Sequence, residues 1–126
     1  MKVTICNAFS LSMLEGDADI NFRVCNDPAD WLARLEGHAE IESAVGHQST
    51  ADLFAALLGR PVEARRVSVT LPAVPGHCLL VGQYSGPRLE EGATTLPEGA
   101  TIRWWVVGHD NERLSWRWST CDGEED

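Results

Sequence analysis

The most informative segment of the sequence for the fold is Ala51-Asp52-Leu53-Phe54-Ala55-Ala56-Leu57-Leu58. Drawn as a helix, it is apolar nearly all round, which is typical of a helix buried in a protein core. Gly59 and Pro61 follow it, and both residue types end helices. Ser49 and Asp52 have a spacing like that of a capping box, with Asp in place of Glu. We therefore predict a central, buried helix over 51–58.

Strand-like segments lie on both sides of this helix in the sequence. Continuous apolar runs and period-two alternation predict strands at 3–6, 19–24, 40–45, 66–71, 78–84 and 101–107. A second helix is predicted over 29–35, because Asn26 or Asp27 can cap it and Pro28 fits its first turn. Strands mixed with one or two helices predict an α/β fold, with a single mixed β-sheet flanked by helices.

The charge balance excludes a broad class of functions. The chain has 126 residues, which fits one domain, and its formal net charge is −9. Proteins that bind duplex DNA or RNA neutralise many phosphates with a broad basic face. We therefore expect no duplex nucleic acid as a partner, and any phosphate site should be small and local.

The sequence also argues against membranes and metals. No apolar run approaches the roughly 18 residues of a transmembrane span. The amino terminus lacks the apolar region and the cleavage site of a signal peptide. We expect a soluble, cytoplasmic protein with no membrane partner. The four cysteines are separated by gaps too wide for a Cys-x-x-Cys pair, so we expect no metal site and no cofactor.

The end of the chain differs from the rest. We divide the sequence into an α/β domain over 1–108 and a carboxy-terminal extension over 109–126. Within the extension, 113–118 alternates like an added edge strand, and the last five residues form an acidic tail.

Tryptophans are concentrated near this end. Base–aromatic stacking is worth roughly 1–3 kcal/mol per base, so such side chains can hold adenines. Neighbouring residues of a strand point to opposite faces, however, so at least one of Trp104 and Trp105 belongs to the core. We favour core or dimer packing for the cluster of Trp104, Trp105, Trp116 and Trp118.

Polar residues collect in three turns that follow predicted strands, over 7–10, 46–50 and 83–91. His47 stands just before a helix, whose free N–H groups and dipole favour an anion within reach of the imidazole. A capping or packing role fits the same position. Arg88 with Glu91 likewise has the spacing of a surface ion pair of little energetic value. The residues alone therefore lead only to a candidate anion site around His47.

Four ordered motifs carry a resemblance to a known family. They are Asn7-Ala8-Phe9-Ser10-Leu11-Ser12-Met13-Leu14, Val45-Gly46-His47-Gln48-Ser49-Thr50, Arg66-Val67-Ser68-Val69 and Arg88-Leu89-Glu90-Glu91-Gly92. In this order and at these spacings, they resemble the viral ring-nuclease family, over a region from Met1 to about Val107. Members of that family act as type III anti-CRISPR proteins, and cellular relatives are ring nucleases of type III CRISPR systems.

The resemblance implies metal-independent cleavage of cyclic tetra-adenylate, the second messenger of type III CRISPR immunity. It implies a homodimer that holds one ring across its two-fold axis, in the cytoplasm of a prokaryotic host. His47 resembles the general acid, and Arg88 and Glu91 resemble its catalytic companions, with their separate roles left open. The residues that the resemblance assigns to substrate binding are Asn7, Ser10, Leu11, Ser49, Thr50, Arg66 and Gln83.

Two other classes of function remain open at this stage. One is a binding protein that sequesters or senses a cyclic nucleotide without cutting it, although His47 together with Arg88 and Glu91 argues against that. The other is an acidic interaction protein that mimics nucleic acid, which the net charge of −9 suggests. A mimic, however, has no need for turns that bear His, Arg and Gln.

Overall fold

The computed structural model of the protein describes residues 1–16, 19–72, 76–90 and 92–109. Two helices, a 3-10 turn over Leu11–Met13 and five strands form within these residues. In chain order they are β1 (Lys2–Cys6), β2 (Ile20–Val24), α1 (Pro28–Leu35), β3 (Glu40–Ser43), α2 (Gln48–Leu58), β4 (His77–Ser85) and β5 (Thr101–His109). The predicted edge strand over 113–118 and the acidic tail lie outside the described residues.

The strands form one sheet, with the order β2-β5-β4-β1-β3. Strand β1 pairs in parallel with both β3 and β4, while β5 pairs antiparallel with β4 and with β2. The predicted single mixed sheet is therefore confirmed. Because β1, β3 and β4 run in the same direction, the loops that follow them meet at one edge, which we call the carboxyl edge.

Both helices pack on one face of this sheet, which we call the helix face. Its core contains Trp31 from α1 and Phe54 from α2, both at most 1% exposed, against inward-facing residues of β1, β4 and β5. The opposite face, which we call the open face, carries a smaller apolar cluster, and neither α1 nor α2 contributes to it. The members of that cluster are Cys6, Leu71, Leu79, Val81 and Val107. The two helices thus flank the sheet on one side.

A glycine in the middle of β4 makes the close packing of α2 possible. A Cβ atom at Gly82 would lie 2.4 Å from Cζ of Phe54 and 2.7 Å from Cζ3 of Trp104. The rings of Phe54 and Trp104 meet over this gap, with centroids 4.7 Å apart. The missing side chain of Gly82 therefore fixes where α2 lies on the sheet, and the first turn of α2 then falls at the carboxyl edge.

Two sequence expectations differ from the structure. Helix α2 begins at Gln48 rather than at residue 51, and His47 is its N-cap, so Ser49 lies inside the first turn and does not cap the helix. The predicted strand over 66–71 is absent from the sheet. Val69 and Leu71 instead pack from an extended loop onto the open face. Period-two alternation indicates an extended segment with one buried side. Such a segment can pack on a sheet without being hydrogen-bonded to a neighbouring strand along its length, so alternation alone does not prove a strand.

Candidate functional site

The amino-terminal end of α2 is not capped by the side chain of its N-cap residue, His47. His47 has an extended backbone (φ −127°, ψ 140°), and its exposed imidazole forms no capping hydrogen bond. The first N–H groups of a helix have no partner within the helix. Within the described part of the chain, those of α2 are therefore open to an anion beside the exposed imidazole of His47.

Arg66 lies at this same helix end. Its Nε is 4.0 Å from the point where a Cβ atom of Gly46 would stand. Backbone pairing explains the placement, since the N–H of Arg65 donates to the carbonyl of Val45 at 2.7 Å and Ala64 bridges Val45 in parallel. Arg66 follows two positions after Ala64, and its side chain comes beside Gly46, which follows Val45. A guanidinium and a helix amino terminus thus meet, and both attract phosphate.

Asp52 connects the Arg-Leu-Glu-Glu-Gly motif to the start of α2 by hydrogen bonds. Its Oδ1 accepts from Nε2 of Gln48 at 2.8 Å, and its Oδ2 accepts from the backbone N–H of Gly92 at 3.1 Å. Gly92 has a φ of +78°, a conformation that favours glycine. The end of the Arg-Leu-Glu-Glu-Gly segment is therefore held against the first turns of α2. Glu91 itself lies outside the described residues.

The turn that leads to Arg88 is shaped by local contacts. The hydroxyl of Tyr84 donates to the carbonyl of Pro87, and a Cβ at Gly86 would lie 2.6 Å from Cβ of Ala100. Any side chain at this position would clash with Ala100, so this tight turn requires glycine. Arg88 follows with an exposed side chain, which forms no hydrogen bond or ion pair with the described part of the chain.

The first motif divides between two environments. Asn7 lines a cavity of about 520 Å³ on the open face, together with Gln83. Ser10 instead caps the 3-10 turn, because its Oγ accepts from the N–H of Ser12 at 3.3 Å. The side chain of Leu11 is 76% exposed. The described residues that line the cavity are Asn7, Ala8, Phe9, Phe22, Val81, Gln83, Trp105 and Val107.

The predicted site residues thus form two groups at the carboxyl edge. His47, Ser49, Thr50 and Arg66 gather at the start of α2, while Asn7 and Gln83 share the cavity. Sequence reasoning missed two contributors. Asp52 had a usable signal, since Gln and Asp four residues apart on a helix commonly hydrogen-bond. For Trp105, the sequence suggests stacking on adenine but favours core or dimer packing, whereas the structure puts Trp104 in the core and Trp105 on the open face.

Cys6 ends β1 next to Asn7, but it is unsuited to act as a nucleophile. Burial raises the pKa of its thiol from 9.0 to about 12, against a smaller lowering by a backbone hydrogen bond from Ala8. The reactive form of cysteine is the thiolate. We expect Cys6 to resist iodoacetamide at pH 8 in the folded protein and to react readily in denaturant, as measured by peptide mass spectrometry. Rapid labelling of the folded protein would contradict this.

Two structural features are absent from the described residues. No group of three or more His, Cys, Asp or Glu side chains in that part of the chain is arranged to hold a metal ion. None of its helices is long and apolar enough to cross a membrane.

Comparison with known proteins starts from the fold, a five-stranded mixed sheet with both helices on one face. The structure is similar to that of B116 of Sulfolobus turreted icosahedral virus, with a TM-score of 0.68 and 30% sequence identity. The similarity covers 86% of this chain and 100% of the viral protein. The model of the STIV B116-like family matches residues 3–101, and the chain belongs to that family. No curated protein matches the chain.

Proposed function

We propose that this protein is a ring nuclease that cleaves cyclic tetra-adenylate as a homodimer, without a metal ion. The observation that carries the proposal is the meeting of three motifs at one helix end. Arg66 lies beside Gly46, and Asp52 connects Gln48 to Gly92. These contacts bring the guanidinium of Arg66 to a helix amino terminus that begins at an exposed histidine. Phosphodiester cleavage needs such groups, because it requires both stabilisation of negative charge and a proton donor.

The substrate contains its own nucleophile. Each ribose 2′-hydroxyl of a 3′–5′ ring can attack the neighbouring phosphorus, so that an O2′–P bond forms and the P–O5′ bond breaks. The protein must then enforce in-line geometry and stabilise the negative charge on the non-bridging oxygens of the phosphate. Arg66 and the N–H groups of α2 provide that stabilisation in this proposal, with Arg88 as a second guanidinium.

His47 supplies the proton for the leaving group. The departing 5′-oxygen takes it from the imidazolium, while the 2′-hydroxyl proton passes to a base, for which Glu91 is the candidate.

Symmetry explains why a homodimer suits this substrate. A closed dimer with a two-fold axis presents each site twice, and the four-membered ring has a matching two-fold axis. Each subunit then supplies one His47 and cuts one of two opposite linkages. The predicted final product is linear di-adenylate that ends in a 2′,3′-cyclic phosphate.

The first test is single-turnover cleavage of labelled cyclic tetra-adenylate by the wild-type protein in EDTA. We expect linear di-adenylate with a 2′,3′-cyclic phosphate, identified by mass spectrometry. A product with an intact 3′-hydroxyl end would exclude attack by the 2′-hydroxyl. Binding without cleavage would identify a sequestering or sensing protein instead. Neither binding nor cleavage would favour the acidic mimic, which the net charge of −9 also fits.

A further inference from the structure

The open-face cavity has the size and the chemistry of a nucleobase pocket. Its volume of about 520 Å³ lies within the range of small-molecule sites, which is roughly 300–1,000 Å³. The described residues that line it contribute three aromatic rings and two carboxamides, and none of these lining side chains is charged. Such a lining disfavours a phosphate group and suits a planar, uncharged heterocycle with hydrogen-bonding edges. The rings belong to Phe9, Phe22 and Trp105, and the carboxamides to Asn7 and Gln83.

Contacts among neighbouring side chains hold the rings in place. Phe9 and Phe22 meet edge to face, with centroids 5.4 Å apart and planes at 82°. The guanidinium of Arg103 lies over the indole of Trp105, 5.6 Å from its centroid. Phe22 is nevertheless 48% exposed, which is unusual for a large apolar side chain in a strand. An apolar ring that is both fixed and accessible is well suited to receive a flat ligand.

A hydrogen bond determines which way the Gln83 amide faces. Nε1 of Trp105 donates to Oε1 of Gln83 at 3.2 Å. An indole N–H can only donate, so the amide oxygen must be the atom that faces Trp105. The NH₂ group of Gln83 makes no hydrogen bond with the described residues, and it is left to donate to a ligand. Trp105 therefore orients the Gln83 amide so that its NH₂ group is the part that can donate to a ligand in the cavity.

We infer that the cavity binds a purine base, and that Trp105 is a positioning residue that presents the NH₂ group of Gln83 to an acceptor nitrogen of that base. Adenine offers ring-nitrogen acceptors beside an exocyclic amino donor, which a pair of carboxamides can match. Asn7 provides the second carboxamide. The identification of the base as an adenine of the cyclic substrate rests on the proposed function, whereas the aromatic and amide geometry does not.

The test uses nuclear magnetic resonance and a simple probe, adenosine 5′-monophosphate. The indole N–H signal of Trp105 is assigned by its loss in Trp105→Phe. We expect that signal to shift saturably with adenosine 5′-monophosphate and much less with cytidine 5′-monophosphate at equal concentration. No shift, or equal shifts with the two nucleotides, would overturn the inference.

Two matched variants separate positioning from folding. Trp105→Phe keeps an aromatic ring but removes the N–H that holds Gln83, so affinity for adenosine 5′-monophosphate should fall about 3- to 10-fold, as for the loss of one hydrogen bond. Trp104→Phe removes an indole N–H from the adjacent residue on the helix face and should leave the affinity within about twofold. Equal losses in the two variants would overturn the positioning role. Thermal unfolding confirms that each variant is folded.

The cleavage assay keeps the two proposals distinct. If adenosine 5′-monophosphate shifts the Trp105 signal while cyclic tetra-adenylate stays intact, the base pocket stands and the ring nuclease fails. The opposite outcome has three parts: the ring is cut, Trp105→Phe leaves KM unchanged, and adenosine 5′-monophosphate does not shift the Trp105 signal. In that case the ring nuclease stands and the base pocket fails. When both proposals are correct, Trp105→Phe should raise KM for cyclic tetra-adenylate and leave kcat nearly unchanged.

Discussion

Substitution of His47 by alanine should slow single-turnover cleavage of cyclic tetra-adenylate by at least ~100-fold, as expected for the loss of a general acid. Binding of the intact ring should change little, because the phosphate contacts proposed for Arg66 and the N–H groups of α2 remain. The measurement is the cleavage rate at saturating protein, with ring affinity determined in parallel.

The fold should tolerate this change. The imidazole of His47 is exposed and does not cap α2, so its removal eliminates no hydrogen bond to the helix. His38→Ala is a matched control, since His38 is also exposed and has no proposed role. We expect both variants to melt within a few degrees of the wild type. Wild-type cleavage rates in His47→Ala would mean that another group protonates the leaving oxygen.

Substitution of Gly82 by alanine should reduce the free energy of unfolding by about 1–3 kcal/mol, the usual result of overpacking a core. The new methyl group would lie 2.4 Å from a ring carbon of Phe54, so either the ring or α2 must move. Urea denaturation monitored by circular dichroism gives the measurement. If α2 moves, the cleavage rate falls as well, because His47 begins that helix.

A double substitution identifies the source of this loss. Phe54→Leu shortens the side chain that Gly82→Ala would overlap, so the effects of the two changes on unfolding should be less than additive. Gly46→Ala is the control, since a Cβ there has no neighbour nearer than 4.0 Å and its backbone has no positive φ. It should shift stability by no more than about 0.5 kcal/mol. Strict additivity of Gly82→Ala and Phe54→Leu would contradict the packing argument.

Much of the fold could be predicted because, in its central elements, the spacing of apolar residues in the sequence matches the side chains that are buried in the structure. The apolar run at 51–58, the strand over 78–84 and the strand over 101–107 correspond to α2, β4 and β5. The first turn of α2 was missed because Gln48, Ser49 and Thr50 are polar, and hydrophobic pattern carries no signal there. The extended loop over 66–71 was mistaken for a strand because a buried side alone does not specify a strand partner.

The site was less predictable because it depends on contacts between distant segments. The position of His47 before a helix follows from local sequence. The approach of Arg66 to Gly46 follows instead from the bridge between Val45 and Ala64, which local patterns do not encode. The cavity likewise requires β2 beside β5, where Phe22 pairs with Val107.

The same pairing controls the order in which the molecule can fold. Strand β2 lies at the edge of the sheet, and its strand partner is β5, which is separated from it by most of the described chain. Closing so long a loop is entropically costly, and pairing of this kind slows folding. During synthesis, β2 must wait with Phe22 and its backbone unpaired until residues 101–109 have emerged. Unpaired apolar edges promote association between chains, so the newly made protein is most vulnerable to aggregation just before β5 docks.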